Sequence, residues 1–445
     1  MVVIAGYEVL TQLHMSSRSV VYRAERELDR VPVILKATQS EYPSLEELAR
    51  FRLEYEILNR LSAVDGISRV YGLEPHQSGV VLVLEDFGGE SLQRRLLRQR
   101  LDPVEGLSVA IALTEILGQV HAANVIHKDI NPANVVYDAE TGRVGLIDFG
   151  NATVLSRENP TLQTPNRLEG TLAYLSPEQT GRMNRSLDYR TDFYSLGATL
   201  YELLTGAPPF AASDPMELIH CHLAKQPDPP HEVNPAVPSV LSQIVLKLLA
   251  KNAEDRYQSA YGLKTDLERC LVDLRATGAI APFPLGQDDA SGRFQIPQKL
   301  YGRDREVQLL LEGFERVAAG QAVANGRERE LEFATPSKLP ALRAAMTAAG
   351  RSEMMLVAGY SGIGKSSLVQ EIYKPITRHK GYFIAGKYDQ FQRNIPYSAL
   401  IQAFQELMQQ LLTESQTQID RWKTLLSKAL GRNGQVVIEV IPEVE

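Results

Sequence analysis

Two polar runs in the middle of the chain constrain its fold more than anything else in it. They are His127-Lys-Asp-Ile-Asn-Pro-Ala-Asn134 and, after a short strand-like stretch, Asp148-Phe-Gly150. Either alone could be an acidic turn that merely caps a strand, and would carry little weight. Their order and spacing on one chain are what restrict the fold, provided that the surrounding segments supply the right context.

The whole chain narrows the function classes first. Its 445 residues leave room for roughly two to four domains of ~100–200 residues. A net charge of −7 gives no sign of a nucleic-acid or anionic-membrane partner, since both call for a basic excess. Arg94-Arg95 with Arg98 and Arg100 reads as a solvated helix face. Cys221 and Cys270 are too few for a disulfide framework and fit a reducing cytoplasm. His220-Cys221-His222 carries no metal reading, because alternate residues on a helix point to opposite sides. No apolar run approaches the ~20 residues of a membrane span, and Met1 to Gly6 lacks the pattern of a secretory signal.

Taken together, the two polar runs resemble the catalytic loop and the magnesium loop of protein kinases. The chemistry accounts for the residue types. Phosphoryl transfer is mostly positioning and charge neutralisation, so it needs oxygen ligands for Mg²⁺ and one carboxylate to receive the acceptor's proton. The resemblance makes Asp129 that base and Asn134 and Asp148 the metal ligands. Upstream, Val33-Ile-Leu-Lys36 is an apolar strand that ends in a lysine, which is costly to bury without a counter-ion. The resemblance supplies two, the phosphates of ATP and a helix glutamate. Ser44-Leu-Glu-Glu47 predicts a capping box, and Leu48, Phe51, Tyr55 and Leu58 recur as a helical stripe. Glu54 lies on the edge of that stripe. Glu56 has Arg52 and Arg60 four residues to either side, a solvated arrangement. The partner of Lys36 is therefore expected to be Glu54.

Further matches extend the resemblance over about the first 275 residues. Val81-Leu-Val-Leu-Glu85-Asp-Phe87 is similar to the strand and hinge that hold adenine through the main chain of Glu85 and Phe87. Gly170-Thr171 through Pro177-Glu178 is similar to the end of an activation segment. Arg256 stands where an arginine pairs with that glutamate, and Asp192 where a helix aspartate anchors the catalytic loop. Leu13 and Val21 flank the stretch expected to cover the nucleotide. Here His14, Ser16 and Ser19 replace the usual glycines, whose freedom allows close backbone approach to phosphate. Side chains there are expected to loosen the phosphate grip. Lys128 replaces an arginine, Asn131 a lysine, and Ile34 an alanine. The five polar groups that the chemistry needs are all present.

A second signal lies downstream. Gly359-Tyr-Ser-Gly362-Ile-Gly364-Lys365-Ser366 fits the phosphate-binding pattern G-x-x-x-x-G-K-[ST] between an apolar run, Met354–Ala358, and a helical one. The glycines would let backbone N–H groups wrap the phosphates, with Lys365 on the outer phosphates and Ser366 on Mg²⁺. Glu439, the one candidate for an acidic partner, reads as a surface residue. Together with Leu300-Tyr-Gly-Arg-Asp-Arg-Glu and Gly381–Ser398, this site resembles the AAA-type ATPase module of bacterial hybrid signalling kinases. In that family a Ser/Thr kinase domain comes first, the ATPase module second, and a GAF sensor and a histidine kinase often follow. The polar segment 319–352 is longer than the family's usual connection.

The expected architecture is an α+β bilobal protein kinase fold over 1–275, a linker over 276–296, and an incomplete α/β P-loop NTPase domain over 297–445. The expected activity is ATP- and Mg²⁺-dependent phosphorylation of Ser/Thr hydroxyls on protein substrates in the cytoplasm. The nucleotide module would be regulatory, and sensor and histidine kinase domains would follow in a longer chain. Two alternatives are a pseudokinase scaffold that binds nucleotide without transfer and a P-loop assembly switch as the main activity.

Overall fold

The computed structural model describes residues 4–290 except 17, 41, 100, 156–169, 181–186 and 213. Beyond these it describes 302–318, 354–360, 365–372, 376, 382–386, 397–411, 416–431, 434, 437–438 and 441. The chain divides into two compact units, Met1–Ala211 with Gln226–Pro297, and Ala212–Lys225 with Gln298–Glu445.

The first unit opens on an antiparallel sheet of β1 (Tyr7–Met15), β2 (Ser19–Arg26), β3 (Pro32–Thr38), β4 (Val70–His76) and β5 (Gly79–Glu85), in the order β1-β2-β3-β5-β4. Alternation fixes its faces. Val20, Tyr22 and Ala24 of β2 pack with Val33, Leu35 and Ala37 of β3 and with Val81 and Val83 of β5. The residues between them point to the opposite face, where Val21 stands in register with Lys36 and Lys36 with Leu82. Helix α1 (Leu45–Arg60) crosses the sheet between β3 and β4. It starts at the predicted capping box: Ser44 Oγ accepts from the Glu47 amide, and the Glu47 carboxylate accepts from the Ser44 amide. Phe51, Ile57 and Leu58 bury its inner face.

A helical lobe follows β6 (Glu90–Ser91) and α2 (Leu92–Leu96). Its central helix α3 (Pro103–Ala122) begins at Asp102, whose carboxylate accepts from the amides of Val104 and Glu105, with Pro103 at the first position. By length and composition α3 is also apolar enough to cross a membrane. Here it is a core helix, with Leu107, Val109, Leu113, Leu117 and Val120 buried in the main hydrophobic cluster. Four short strands lie beside it: β7 (Val125–Ile126), β8 (Val135–Tyr137), β9 (Val144–Leu146) and β10 (Thr153–Val154). They carry the two polar runs on their connections. Helix α4 (Arg190–Thr205) is buried along almost its whole length and stops where Gly206 adopts a left-handed φ of 88°. Helix α5 (Pro215–Ala224) falls in the second unit. Helices α6 (Pro230–Val233), α7 (Ser239–Leu248) and α8 (Ala260–Thr277) complete the lobe.

The stretch expected as a linker does not leave the lobe at once. Ile280, Phe283 and Leu285 are half-buried against the core. Asp289 accepts from the amides of Gln258 and Ser259 at 2.7 and 2.8 Å and from Ser259 Oγ at 2.8 Å. Three donors on one carboxylate give this segment a reason to stay folded on the lobe.

In the second unit the run from Leu300 does become a helix, Asp304–Ala318, and the residues after the glycine-rich pattern become another, Lys365–Gln370. Helices Ser398–Leu411 and Gln416–Leu430 bring Met408, Leu411, Trp422 and Leu426 into a cluster with Tyr382 and Ile441. The apolar run Met354–Ala358, expected as a strand, shows no strand pairing among the described residues. A strand exists only through neighbours that complete its hydrogen bonds, and the run's apolar character cannot by itself supply them. Segment 319–353, Gly362, Gly364 and Glu439 lie outside the described residues, as does the side chain of Ser366.

Candidate active site

The buried lysine finds its counter-ions. Lys36 Nζ donates to Glu54 Oε1 at 2.8 Å, to Glu54 Oε2 at 2.7 Å and to Asp148 Oδ1 at 2.7 Å. Lys36 is 8% exposed and Glu54 3%, whereas Glu56 is exposed. Strand β3 turns the lysine to the face opposite Val33, Leu35 and Ala37, and the capped start of α1 sets the helix phase that turns Glu54 inward. Burial opposes the ammonium charge, but Asp148 and Glu54 together raise the lysine above its ordinary pKa. The ammonium in turn holds Asp148, whose side chain is about half exposed, down at about 2. Glu54 is pushed upward by burial, which a lysine shared with Asp148 does not fully offset.

The first polar run is held from below. Asp192, fully buried on α4, accepts from the His127 amide at 3.0 Å, the Lys128 amide at 2.8 Å and His121 Nε2 at 2.8 Å. His127 Nε2 donates to the Ile147 carbonyl at 3.1 Å, which leaves Nδ1 to accept from the Asp129 amide at 3.3 Å. One histidine thereby ties the first run to the strand that leads into the second. Lys128 and Asp148 both take left-handed backbone conformations, with φ of 66° and 61°. Non-glycine residues held this way cost about 1–3 kcal/mol each and persist only when their surroundings fix them. Here Asp192 holds Lys128, and Lys36 with the Gly150 amide holds Asp148.

Asp129 sits where these contacts converge. Its Oδ1 accepts from the Thr171 amide at 2.9 Å and from Asn131 Nδ2 at 3.0 Å, and its Oδ2 from Asn151 Nδ2 at 3.2 Å. Asn134 Nδ2 donates to the Asp129 carbonyl at 2.9 Å, which commits the nitrogen end of that amide and leaves its oxygen end for another partner. Asn131 also reaches Thr171 Oγ1 at 3.2 Å. The residue that stands in place of a lysine therefore joins the polar run to the end of the activation segment. Gln179 makes a parallel tie: Nε2 donates to the Lys128 carbonyl at 2.8 Å, while Oε1 accepts from the Ser176 amide and hydroxyl. Asn151 and Gln179 stand outside the motifs legible in the sequence; the one local signal for Asn151 is that it directly follows Asp148-Phe-Gly.

Glu85 closes β5 and Phe87 follows it. The Phe87 ring lies 4.5 Å below the Arg143 guanidinium and against Gly145, where any Cβ would come within 2.9 Å of the ring. Leu13 and Val21 bracket the loop between β1 and β2. None of the described residues of that loop has a left-handed φ, so the dihedral argument for glycine does not apply to them. Instead, Ser16 Oγ accepts from the amides of Arg18 and Ser19 at 3.3 and 3.1 Å. The serine oxygen occupies donors of the kind a phosphate would use. Ser16→Ala should release both amides without loosening the chain and tighten ATP binding about fivefold, the worth of ~1 kcal/mol of net hydrogen bonding. Weaker binding by calorimetry would show that Ser16 instead organises the loop for phosphate.

In the second unit, Lys365 Nζ donates to the carbonyls of Gly359 and Tyr360 at 2.8 and 2.7 Å. Lys365 is the first residue of its helix. Among the described residues, no cluster of three or more His, Cys, Asp or Glu is arranged to hold a metal.

Comparison with known proteins gives the family. The protein kinase domain family matches residues 7–266, and the AAA ATPase domain family matches residues 326–441. The hybrid signal transduction histidine kinase G of Dictyostelium discoideum is 38% identical over 293 residues, which are 61% of this chain and 8% of that protein. A probable serine/threonine-protein kinase of Streptomyces coelicolor is 34% identical over 284 residues, 62% of this chain and 41% of that one. The peroxide stress-activated histidine kinase mak3 of Schizosaccharomyces pombe is 26% identical over 419 residues, 88% of this chain and 18% of that one. The chain thus spans less than half the length of each of these relatives.

Proposed function

This chain belongs to the protein kinase family, and from that premise we propose that it transfers the γ-phosphoryl group of ATP to serine or threonine hydroxyls of protein substrates. The observation that carries the reading is the position of Lys36 Nζ, within 2.8 Å of both Glu54 and Asp148. A buried cation shared by a helix carboxylate and a cleft carboxylate is poised to meet the phosphates of a nucleotide. In our reading Lys36, held by Glu54, orients them, Glu85 and Phe87 hold the adenine through their main chains, and Leu13 and Val21 cover it. Asp129 receives the acceptor's proton. Mg²⁺ bound with ATP supplies the neutralisation of charge that builds on the transferred group. Asp148 and Asn134 fit that ion, being hard oxygen ligands of the kind Mg²⁺ selects. Lys36 lowers the Asp148 pKa and so favours its ionised form, and Asn134 has its nitrogen end already engaged.

The kinase domain is assigned to 1–275, a connector to 276–296 and the nucleotide module to 297–445. Nothing favours the scaffold reading, since the five polar groups are present and relatives of this domain are named serine/threonine-protein kinases. Two buried thiols, Cys221 and Cys270, suit the cytoplasm. Two relatives are named histidine kinases, which supports the expectation of sensor and histidine kinase domains in a longer chain.

The test is incubation of the purified chain with labelled ATP, Mg²⁺ and casein. Label in phosphoserine or phosphothreonine is expected. Incorporation no greater than in an Asp129→Asn chain would overturn the activity, and phosphotyrosine as the main product would overturn the acceptor class.

For the second site we propose binding of ATP through Gly359, Gly362, Gly364 and Lys365, with Ser366 as a ligand of its Mg²⁺, and a regulatory role. In an Asp129→Asn chain, bound ATP should fall from two per chain to one with Lys365→Ala, while residual ATP hydrolysis stays the same. A cradle without an oriented water should not turn over. Hydrolysis that disappears with Lys365→Ala would show a complete site and bring Glu439 forward.

A further inference from the structure

We propose that Asn151 is a positioning residue that aims Asp129 at the acceptor hydroxyl, an inference that rests on the reading of Asp129 as the proton acceptor. A carboxylate offers about four lone-pair positions. Two on Oδ1 are taken, by the Thr171 amide at 2.9 Å and by Asn131 Nδ2 at 3.0 Å. One on Oδ2 is taken by Asn151 Nδ2 at 3.2 Å. Among the described residues this leaves a single acceptor position, on Oδ2 beside the Asn151 amide. We assign the incoming hydroxyl to it.

The chemistry suits an amide. The terminal torsion of an aspartate is broad, so donors on Oδ1 alone leave the plane of the carboxylate loosely set. A donor on Oδ2 fixes that plane. Being neutral, Asn151 does so without forming an ion pair that would oppose proton uptake. The two asparagines come from different parts of the chain. Asn131 belongs to the first polar run and is bound to that run and to Thr171. Asn151 follows Asp148-Phe-Gly, so it ties Asp129 to the loop of the Mg²⁺ ligand. In the reaction, the acceptor oxygen bonds to the γ-phosphorus as the bond from that phosphorus to the ADP oxygen breaks. The hydroxyl proton passes to Oδ2 and then to solvent, and ADP departs. A carboxylate turned out of plane would meet the proton poorly while leaving nucleotide binding unaffected.

The test measures casein phosphorylation by the full chain. Asn151→Ala should lower kcat about tenfold or more, with the KM for ATP changed less than about twofold, because misplacement of a reacting group costs rate rather than binding. Asn151→Ser keeps a donor and should recover part of the loss. Asn151→Asp keeps the size but sets a carboxylate against Asp129, and should cost at least as much as alanine. In an Asp129→Asn chain, Asn151→Ala should cost less than about twofold, since the group it positions is gone. A residue that only supported the fold would cost the same factor in both backgrounds, and that result overturns the proposal. So does an Asn151→Ala chain as active as the parent, in which case the kinase reading stands and this inference alone fails. A parent chain that labels nothing overturns both.

Discussion

Asp129→Asn should reduce phosphoryl transfer by roughly 10²–10⁴-fold, the usual loss when a positioned acid or base is removed, and leave ATP affinity nearly unchanged. The substitution conserves shape, and the surrounding donors decide how the new amide lies. Thr171 N and Asn131 Nδ2 both donate to Oδ1, so the amide oxygen belongs there. The amide nitrogen then takes the place of Oδ2, and the Asn151 amide has to turn over to accept from it. The one remaining acceptor position becomes an N–H. An acceptor hydroxyl arriving there meets a donor and keeps its proton. Single-turnover transfer at saturating ATP, with nucleotide affinity measured separately, separates this loss from a loss of binding. A loss below about tenfold would mean that the hydroxyl needs no carboxylate there, and would remove Asp129 from the chemistry.

Much of this site could be read from residues whose roles are set locally. The choice of Glu54 over Glu56 followed from helical spacing and two flanking arginines, and the structure buries Glu54 against Lys36 while Glu56 faces solvent. The cap at Ser44 and Glu47 could be read because all its parts lie within four residues. What escaped reading depends on contacts made at a distance. Asn151 meets Asp129 across two loops that His127 helps to tie through the Ile147 carbonyl, and no local pattern reports that approach. The glycine pattern of the loop between β1 and β2 speaks to dihedrals and to close backbone approach, and is silent on what a side chain there can bond. Ser16 shows a second solution, in which a side-chain oxygen satisfies the exposed amides. The run Met354–Ala358 marks the limit in the other direction: apolar character names a strand, but only its neighbours make one.

Arg256→Ala should destabilise the first unit by about 3–5 kcal/mol, the cost of leaving a buried charge without its partner. For a domain of this size that lowers the unfolding midpoint by roughly 10 °C, at ~2–4 °C per kcal/mol. Arg256 is 1% exposed and Glu178 4%. Nη1 donates to Glu178 Oε1 at 2.6 Å and to the Arg190 carbonyl at 2.9 Å. Nη2 donates to Glu178 Oε2 at 2.8 Å and to the Lys251 carbonyl at 3.2 Å, and Nε to the Ala250 carbonyl at 2.8 Å. All five donors are used, so alanine removes both bonds to the Glu178 carboxylate, which keeps only the Thr191 hydroxyl among its side-chain donors, together with the bonds to three carbonyls. Lysine could not reproduce the fork. The pH dependence identifies the cause. Burial alone would raise Glu178, but Arg256 pulls it below its ordinary value. The parent therefore gains stability from Glu178 above the unfolded value of 4.5 and loses it as pH falls through the lower folded value. Without Arg256, only the Thr191 hydroxyl and a backbone amide still oppose burial, so the folded value rises and the variant gains less from Glu178 as pH rises through the carboxylate range. The gap between variant and parent should be widest near pH 7 and narrow toward pH 5. An Arg256→Met, Glu178→Leu double variant should recover part of the loss, because it removes the stranded charge. Gln179 adjoins this pair and holds the Lys128 carbonyl, so transfer should fall with the single variant even where it remains folded. A midpoint shift below about 3 °C, or one that does not change between pH 5 and 7, would show that the pair contributes little and that other contacts hold the end of the activation segment.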